Sequence, residues 1–385
     1  MAVTRITDAF VSWALKKSRG SAAALILYII GTAAALSSFL PNTITVLTLL
    51  PVLKRLDKGF ADQGVTGMTT VLMCSAIYGS AVGGMGSMLG SPANAVLFGA
   101  LDLFQIAGRE QINFFNWFIW SVPLVVALVL VAWGVAAGLG LSSRAREVTI
   151  HMECLGDECE TNDRQRYGSM LFWMYMGFWV LEAMVRQAVP FAGEHSTLIC
   201  IGFTGLFVYL TFIRNAPQSS YANGPLLRVA GLLKGIPRRG FLFILVLVVL
   251  FGVVHWLKLD EKAVLLAGKL LQGDVSPLLI FFLTVLSVIF LTEMLSNTAV
   301  VAAFFTIAYY AAVGHDMNPL YLMMGVGVAS TCAFMTPIAT PTNALAFGEM
   351  RGASLRQMLA LGFVLNLAVA VILTGWLSWV LPLVY

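Results

Sequence analysis

The fold is decided by a sequence pattern that occurs twice, as SMLGSPANAVLFG at Ser87–Gly99 and as TPIATPTNALAFG at Thr336–Gly348. The two copies align without a gap and share a proline, an asparagine, an alanine, a phenylalanine and a glycine. The first lies within the long apolar stretch Val65–Phe104, and the second lies at the end of the stretch Leu320–Phe347 and extends one residue beyond it. Because proline and glycine interrupt helices, the repetition predicts two helices that are broken at equivalent positions.

The amino-acid composition indicates whether these helices lie in water or in lipid. Apolar residues make up 59% of the 385-residue chain and charged residues only 11%, whereas a soluble domain has about 25% charged residues. Stretches of about 20 apolar residues, enough to cross a bilayer, recur along the chain. The sequence therefore predicts an all-α polytopic membrane protein in contact with lipid. Its net charge of +4 lies in loops and does not indicate a nucleic-acid partner.

A polar tip precedes each copy of the pattern. The first tip is Leu40–Thr43 and the second is Ser296–Thr298. The apolar arms around the tips are Ser21–Ser38 with Ile44–Val52, and Pro277–Leu295 with Ala299–Ala312. Polar backbone at membrane depth is tolerated only where protein buries it or where it lines a cavity. The tips therefore predict two re-entrant hairpins.

Five segments are predicted along the chain. They are an amphipathic interfacial helix at 1–19, an N-terminal repeat at 20–141, a cytoplasmic loop at 142–167, a three-helix scaffold portion at 168–259 and a C-terminal repeat at 260–385. Each repeat holds a hairpin, a broken helix and a crossing helix. Five crossings separate the two hairpins, and an odd number predicts inverted repeats.

The distribution of positive charge gives the orientation. If the first hairpin opens to the cytoplasm, 18 of the 23 lysines and arginines fall in cytoplasmic loops, 4 in outside loops and Arg186 within a membrane segment. Positive charge concentrates on that side of membrane proteins. We therefore expect an integral protein of the cell inner (plasma) membrane whose first hairpin opens inward.

Neutral hydrogen-bonding side chains surround the tips and the breaks, and half-helix N-termini beside them attract anions without any lysine or arginine. Unwound carbonyl groups suit sodium. The candidate residues are Asn42, Thr43, Ser91, Asn94, Ser296, Asn297, Thr298, Thr340 and Asn343. This set favours a small anion together with a small cation.

The same residues resemble a known family. LTEMLSNTA at Leu291–Ala299 and CAFMTPIATPTNALAFG at Cys332–Gly348 are similar to the signature of the divalent anion:sodium symporters, which are di- and tricarboxylate transporters. LPNTITVLTLLP at Leu40–Pro51 and GGMGSMLGSPANAV at Gly83–Val96 resemble its N-terminal counterpart. The resemblance implies a dimeric elevator, in which a transport domain of hairpins and broken helices slides against a scaffold.

Site roles follow from the resemblance, position by position. It implies that substrate meets Asn42, Thr43, Ser91, Ser296, Asn297, Thr298, Thr340 and Pro341. It implies Na⁺ as the coupling ion, at one site near Ser37, Asn42 and Gly90 and a second near Thr292, Asn297 and Ala339. Asn94, Asn343 and Glu293 are further candidates. Glu293 either couples an ion or proton, as intramembrane carboxylates often do, or caps or pairs within its hairpin.

Two departures from the family pattern carry expectations of their own. Pro41 stands where the family has serine, which removes a hydroxyl and an N–H from the first tip. Three crossings precede the second hairpin, but only the amphipathic helix precedes the first. The chain is therefore expected to be a reduced family member, a truncated product, or a chain whose partner supplies scaffold helices.

Rival functions are a permease for another oxyanion such as sulfate or arsenite, a sodium-independent exchanger, and a non-transporting membrane subunit. An enzyme is not expected, because the sequence holds no H-E-x-x-H, G-x-S-x-G or phosphate-loop motif.

Overall fold

The computed structural model describes residues 17–18, 20–88, 90–147, 163–188, 195–217, 224–227, 249, 253, 256–258 and 276–385. Within them the secondary structure is helical, apart from isolated bridge residues such as the pair Asn215 and Pro225. The α-helices are α1 (Ala22–Ser37), α2 (Asn42–Asp62), α3 (Met68–Gly83), α4 (Pro92–Leu103), α5 (Phe114–Gly140), α6 (Ser143–Glu147), α7 (Asp163–Ala188), α8 (Ser196–Val208), α9 (Pro277–Thr292), α10 (Asn297–Gly314), α11 (Pro319–Ala329), α12 (Pro341–Glu349) and α13 (Leu355–Val384).

The chain divides into two compact units. The larger contains Ser18–Ile150 and Arg238–Tyr385, and the smaller contains Met1–Lys17 and His151–Pro237. The predicted hairpins and broken helices all belong to the larger unit. In the smaller unit, α7 and α8 pack through Leu171 and Phe207, among others, and α8 continues as a short π-helix.

The predicted interruptions are present at both tips and in both broken helices. Helix α1 ends before the first tip and α2 begins at Asn42, while α9 ends before the second tip and α10 begins at Asn297. The gap between α3 and α4, and the gap between α11 and α12, coincide with the two copies of the pattern. Clusters of helix breakers thus accompany the interruptions in this chain, whereas the single prolines Pro51, Pro123 and Pro382 lie inside helices.

Packing in the larger unit follows one scheme twice. The first arm of each hairpin packs on the first half of its own broken helix, α1 on α3 and α9 on α11. The second arm packs on the second half of the other broken helix, α2 on α12 and α10 on α4. Each repeat therefore completes the other, and the tips and breaks of both lie in one bundle.

Small residues let α1 and α3 approach closely. A Cβ atom at Gly79 would collide with the backbone of Ile30, and one at Gly83 would collide with the backbone of Ala34. Small residues spaced four apart bring helices into close contact in membranes, where packing rather than the hydrophobic effect drives association. This contact fixes the first broken helix against its hairpin, close to the tip.

Three helices among the described residues are long and apolar enough to cross a membrane, namely α5, α10 and α13. Shorter apolar helices include α1, α3, α9 and α11. Their lengths fit half-helices and hairpin arms, which reach only part of the way across a bilayer.

Several predicted boundaries were wrong. Helix α2 continues to Asp62, past the predicted end at Val52, and α10 already begins at Asn297. The second break begins after Ala329, earlier than Thr336. Within the predicted loop 142–167, α6 forms and α7 begins at Asp163, whose acidic side chain suits a helix N-terminus. Charged residues set the predicted end at Val52 and the bounds of the loop, yet lysine and glutamate are good helix formers and do not end a helix. The second break is predicted from its prolines, and the helix before it ends ahead of them.

The interfacial helix predicted at 1–19 and the last part, 218–259, of the predicted scaffold portion lie almost entirely outside the described residues.

Candidate functional site

The first tip gathers the residues predicted for one sodium site. The Ser37 hydroxyl donates to Asn42 Oδ1 at 2.5 Å. Asn42 Oδ1 also lies close to Gly84, since a Cβ atom built there would be 3.1 Å from it. Gly90 in turn packs on the Gly84 backbone. Ser37, Asn42 and Gly90 therefore lie together, and the amide oxygen of Asn42 already accepts a hydrogen bond.

The second tip differs in how its asparagine is used. The Oδ1 atom of Asn297 is buried and has no hydrogen-bond partner. The Thr292 hydroxyl donates to the Ile289 carbonyl at 2.9 Å and not to the asparagine. Ser296 caps α10 by accepting from the Ala299 N–H at 3.3 Å, whereas Pro41 gives α2 no side-chain cap. The second tip thus presents an open acceptor where the first presents an occupied one.

Hydroxyl groups cap the second half of each broken helix. Ser91 Oγ accepts from the Ala93 N–H at 3.3 Å, and Thr340 Oγ1 accepts from the Asn343 N–H at 3.1 Å. Proline occupies the first helical position in both, where its missing N–H costs nothing. The caps are neutral, so the partial positive charge of each helix N-terminus is not cancelled by a carboxylate.

The paired asparagines of the pattern hold the two breaks in shape. Asn94 Nδ2 donates to the Ser87 carbonyl at 2.9 Å, and Asn343 Nδ2 donates to the equivalent Thr336 carbonyl at the same distance. Asn343 also donates to the Ala333 carbonyl at 2.9 Å and accepts from the Thr340 hydroxyl at 3.0 Å. Both candidate asparagines therefore brace the unwound backbone.

Glu293 connects the second tip to the second break. Its Oε1 atom accepts from the N–H groups of Phe334 and Met335, both at 2.7 Å, and its Oε2 atom accepts from the Thr336 N–H at 2.8 Å. Asn366 Nδ2 of α13 donates to Oε1 at 2.8 Å. The side chain is fully buried. It caps the unwound segment rather than a group within its own hairpin.

The two repeats meet directly at the first tip. The hydroxyl oxygens of Thr43 and Thr342 lie 2.9 Å apart, which joins α2 to α12. Further along the same pair of helices, Lys54 Nζ lies 2.7 Å from Glu349 Oε2. Of the remaining predicted residues, Ala339 is buried, whereas Thr298 and Pro341 are exposed.

Comparison with known proteins shows which family the chain belongs to. Residues 1–221 match the family model described as "Citrate transporter", and residues 241–385 match "Sodium:sulfate symporter transmembrane region". The chain belongs to the divalent anion:sodium symporter family.

Relatives of this symporter family member are named for transport. The sodium-dependent dicarboxylate transporter SdcS of Staphylococcus saprophyticus is 24% identical over 372 residues, which are 90% of this chain and 67% of the relative. SdcS of Staphylococcus aureus strain NCTC 8325 is 26% identical over 378 residues, 91% of this chain and 67% of the relative. The chain is therefore an integral membrane transporter and not an enzyme.

Several residues of this symporter's site were missed by sequence reasoning. Trp117 Nε1 of α5 donates to the Met85 carbonyl at 2.9 Å, and the Ser121 hydroxyl of α5 donates to the Gly86 carbonyl at 3.1 Å. Asn366 of α13 instead reaches the second break indirectly, by donating to the Glu293 carboxylate that caps it. An asparagine in the middle of a 30-residue apolar helix was the available signal for Asn366. Trp117 and Ser121 gave none, because both are ordinary in membrane helices.

Proposed function

We propose that the chain is a secondary active transporter that moves small di- or tricarboxylate anions across the plasma membrane in symport with sodium. The contact between Thr43 and Thr342 carries this proposal, because it joins the tip of one repeat to the broken helix of the other. A single central site built from both repeats accounts for that contact and for the reciprocal packing of α2 on α12 and α10 on α4.

Four helix N-termini support an anionic substrate. Helices α2, α4, α10 and α12 begin at the tips and the breaks, and none of them has an acidic residue in its first turn. Their first N–H groups and their partial positive charge attract a carboxylate without a lysine or arginine. Two carboxylates on one small molecule match two such groups of N-termini, one from each repeat.

In this proposal, the residues of the site have the roles that the sequence resemblance to the family implies. Substrate is bound by the polar residues of both tips and by the caps of the broken helices, namely Asn42, Thr43, Ser91, Ser296, Asn297, Thr298, Thr340 and Pro341. One sodium ion is held near Ser37, Asn42 and Gly90, and a second near Thr292, Asn297 and Ala339. Carbonyl and amide oxygens at these positions are the ligands that hard cations prefer.

The transport mechanism is proposed as an elevator built on inverted repeats. In it, the hairpins, broken helices and crossing helices α5 and α13 move together against a scaffold, as a homodimer or with a partner that supplies scaffold helices. The first hairpin opens to the cytoplasm. Reciprocal packing of the two repeats supports a moving body that contains both of them.

Thermal melting of the purified protein in detergent tests the substrate and the coupling ion together, because a ligand that binds only the folded state raises the melting temperature. Succinate should raise it, and the rise should be larger in sodium chloride than in choline chloride at equal ionic strength. Sulfate is the competing anion, since one family description names it. If sulfate raised the melting temperature and succinate did not, the proposed substrate would be sulfate and not a carboxylate.

Uptake into proteoliposomes tests transport itself. Labelled succinate should accumulate when sodium is higher outside, and accumulation should collapse when a sodium ionophore removes the gradient. Binding without uptake, under conditions where a known symporter in parallel vesicles is active, would contradict the proposed transport.

A further inference from the structure

An open groove runs along the exposed face of α13, close to the start of that helix, and has a volume of about 660 Å³. The described residues that line this α13 groove are Met335, Leu355, Arg356, Leu359, Ala360 and Phe363. Leu355, Leu359 and Phe363 are spaced four residues apart, so the groove follows one face of the helix for about 12 Å. Arg356 is charged and the other residues of this set are apolar. The groove therefore joins one cationic group to a long apolar wall.

Close packing holds the deep end of the α13 groove in place. Gly362 of α13 lies directly on the backbone of Met335, because a Cβ atom at Gly362 would be only 2.3 Å from the Met335 Cα atom. The Phe363 ring meets the Phe290 ring of α9 edge to face, with 5.8 Å between the ring centroids. The groove is therefore a preformed feature of the fold, and its deep end touches both the second break and the second hairpin.

The mouth of the α13 groove lies where three helix ends meet. The Ser354 N–H donates to the Thr70 hydroxyl near the start of α3 at 2.8 Å. Gln357 Nε2 donates to the Gly140 carbonyl at the end of α5 at 3.3 Å. In the orientation proposed above, with the first hairpin open to the cytoplasm, this end of the bundle lies at the cytoplasmic surface of the membrane. Anionic lipids give that leaflet its negative surface potential.

The positive charge at this mouth is not balanced by a neighbouring carboxylate. Arg356 stands in the first turn of α13, where the partial positive charge of a helix N-terminus favours an acidic residue and not a basic one. The turn holds no acidic residue, and the ion pairs between described residues do not involve Arg356. The Arg356 side chain is also exposed. The mouth thus attracts an anionic group, whereas the rest of the groove accommodates hydrocarbon.

We propose that the α13 groove binds an anionic phospholipid of the cytoplasmic leaflet, with the lipid phosphate at Arg356 and one acyl chain along the apolar face of α13. Arginine suits this role because its planar fork of N–H donors matches the oxygens of a phosphate. The acyl chain reaches Met335, whose N–H donates to the Glu293 carboxylate at 2.7 Å. A bound lipid therefore also supports the second break. The proposal does not depend on which anion the protein transports.

The first test measures the melting temperature of the purified protein in detergent with added lipid. Phosphatidylglycerol should raise it more than phosphatidylcholine with the same acyl chains, because a ligand that binds the folded state more tightly stabilises it more. Glycerol 3-phosphate, which has a phosphate but no acyl chain, should have no effect. Equal shifts with the two phospholipids would overturn the proposal, and so would a shift with glycerol 3-phosphate as large as that with phosphatidylglycerol.

The second test separates the mouth of the groove from its apolar wall. Arg356→Gln removes the charge and should raise the phosphatidylglycerol concentration for half-maximal stabilisation about fivefold, with the phosphatidylcholine response unchanged. Ala360→Trp fills the groove and should weaken stabilisation by both lipids. Lys58→Gln removes a charge at an exposed position of α2 and should change neither response. Equal effects of Lys58→Gln and Arg356→Gln would make lipid binding a general property of the basic surface and would overturn the proposal.

Native mass spectrometry counts the bound lipid directly and requires no transport activity. The unmutated protein should retain phosphatidylglycerol after the detergent is removed, whereas Arg356→Gln should retain less of it. Equal retention by the two proteins would exclude Arg356 from the lipid site. If Ala360→Trp changed the number of subunits measured by light scattering and left lipid retention unchanged, the groove would be a contact between protein chains and not a lipid site.

Discussion

Thr43 of the first hairpin tip and Thr342 of the second broken helix share a hydrogen bond of 2.9 Å, although 299 residues separate them in the sequence. One hydroxyl belongs to the N-terminal repeat and the other to the C-terminal repeat. The presence of this hydrogen bond therefore reports whether the two halves are assembled around one site.

Breaking this pair should weaken both assembly and binding. Thr43→Val and Thr342→Val each remove one hydroxyl at nearly constant volume, and each should cost about 1 kcal/mol of stability. Because the two changes remove the same bond, the double variant should lower the melting temperature little more than the more harmful single variant. Fully additive losses would show that the two hydroxyls do not interact in solution. Thr48→Val, at an exposed hydroxyl on the same helix, is the matched control.

The two tip asparagines should respond differently to truncation. Asn297→Ala removes an amide oxygen that has no protein partner, so the ligand-free protein should melt at or above the wild-type temperature. Stabilisation by sodium and by succinate should both be lost, because this side chain is proposed to touch both. Intact stabilisation of Asn297→Ala by either ligand would remove Asn297 from that ligand's site.

Asn42→Ala should have the opposite effect to Asn297→Ala on the melting temperature of the ligand-free protein. It removes the 2.5 Å partner of the buried Ser37 hydroxyl and leaves this hydroxyl only the Leu40 carbonyl at 3.4 Å, and the loss of such a buried hydrogen bond costs about 1 kcal/mol. The ligand-free melting temperature should fall. Equal ligand-free melting of Asn42→Ala and Asn297→Ala would contradict the difference in hydrogen bonding between the tips.

Asn94 and Asn343 brace the two breaks, and the loss of stability on replacing each one should follow the hydrogen bonds that it makes. Asn343→Leu leaves the carbonyls of Ala333 and Thr336 without their amide donor, whereas Asn94→Leu leaves only the Ser87 carbonyl. The Ser87 and Thr336 carbonyls each keep a backbone N–H donor, from Gly90 and Ala339 respectively. The Ala333 carbonyl therefore accounts for most of the difference, because a buried acceptor left without a donor costs about 1–3 kcal/mol. Melting in detergent should therefore fall further for Asn343→Leu, and the reverse order would mean that the second break is not held by Asn343.

Pro41→Ser restores the residue that the family places at the first tip. Ser296, the equivalent residue of the second tip, caps α10 through the Ala299 N–H, and a serine cap contributes about 0.5–2 kcal/mol. The variant should bind sodium more tightly at the first tip, seen as a lower sodium requirement for succinate-induced stabilisation. An unchanged sodium requirement would mean that the Pro41 carbonyl already serves the ion.

The breaks, the tips and the matched asparagines could be predicted from the sequence because each is a strong local signal. A cluster of proline, glycine and polar residues in an apolar run favours a helix break, although the single prolines Pro51, Pro123 and Pro382 lie inside helices. A polar tip at membrane depth must be buried. The partners of Glu293 could not be predicted in the same way. They depend on how closely α13 approaches the second break, where Gly362 packs against the backbone of Met335. Such a contact between segments that are distant along the chain produces no periodic pattern in the sequence.

The bonds from the crossing helices define which parts of the molecule can separate from one another. If α5 slid past the first break, the carbonyls of Met85 and Gly86 would lose Trp117 and Ser121 at a depth where no water replaces them. If α13 slid past the second break, Glu293 would lose Asn366. In the proposed elevator motion, the boundary between the moving body and the scaffold therefore runs outside α5 and α13. Both helices would then move together with the bound ions.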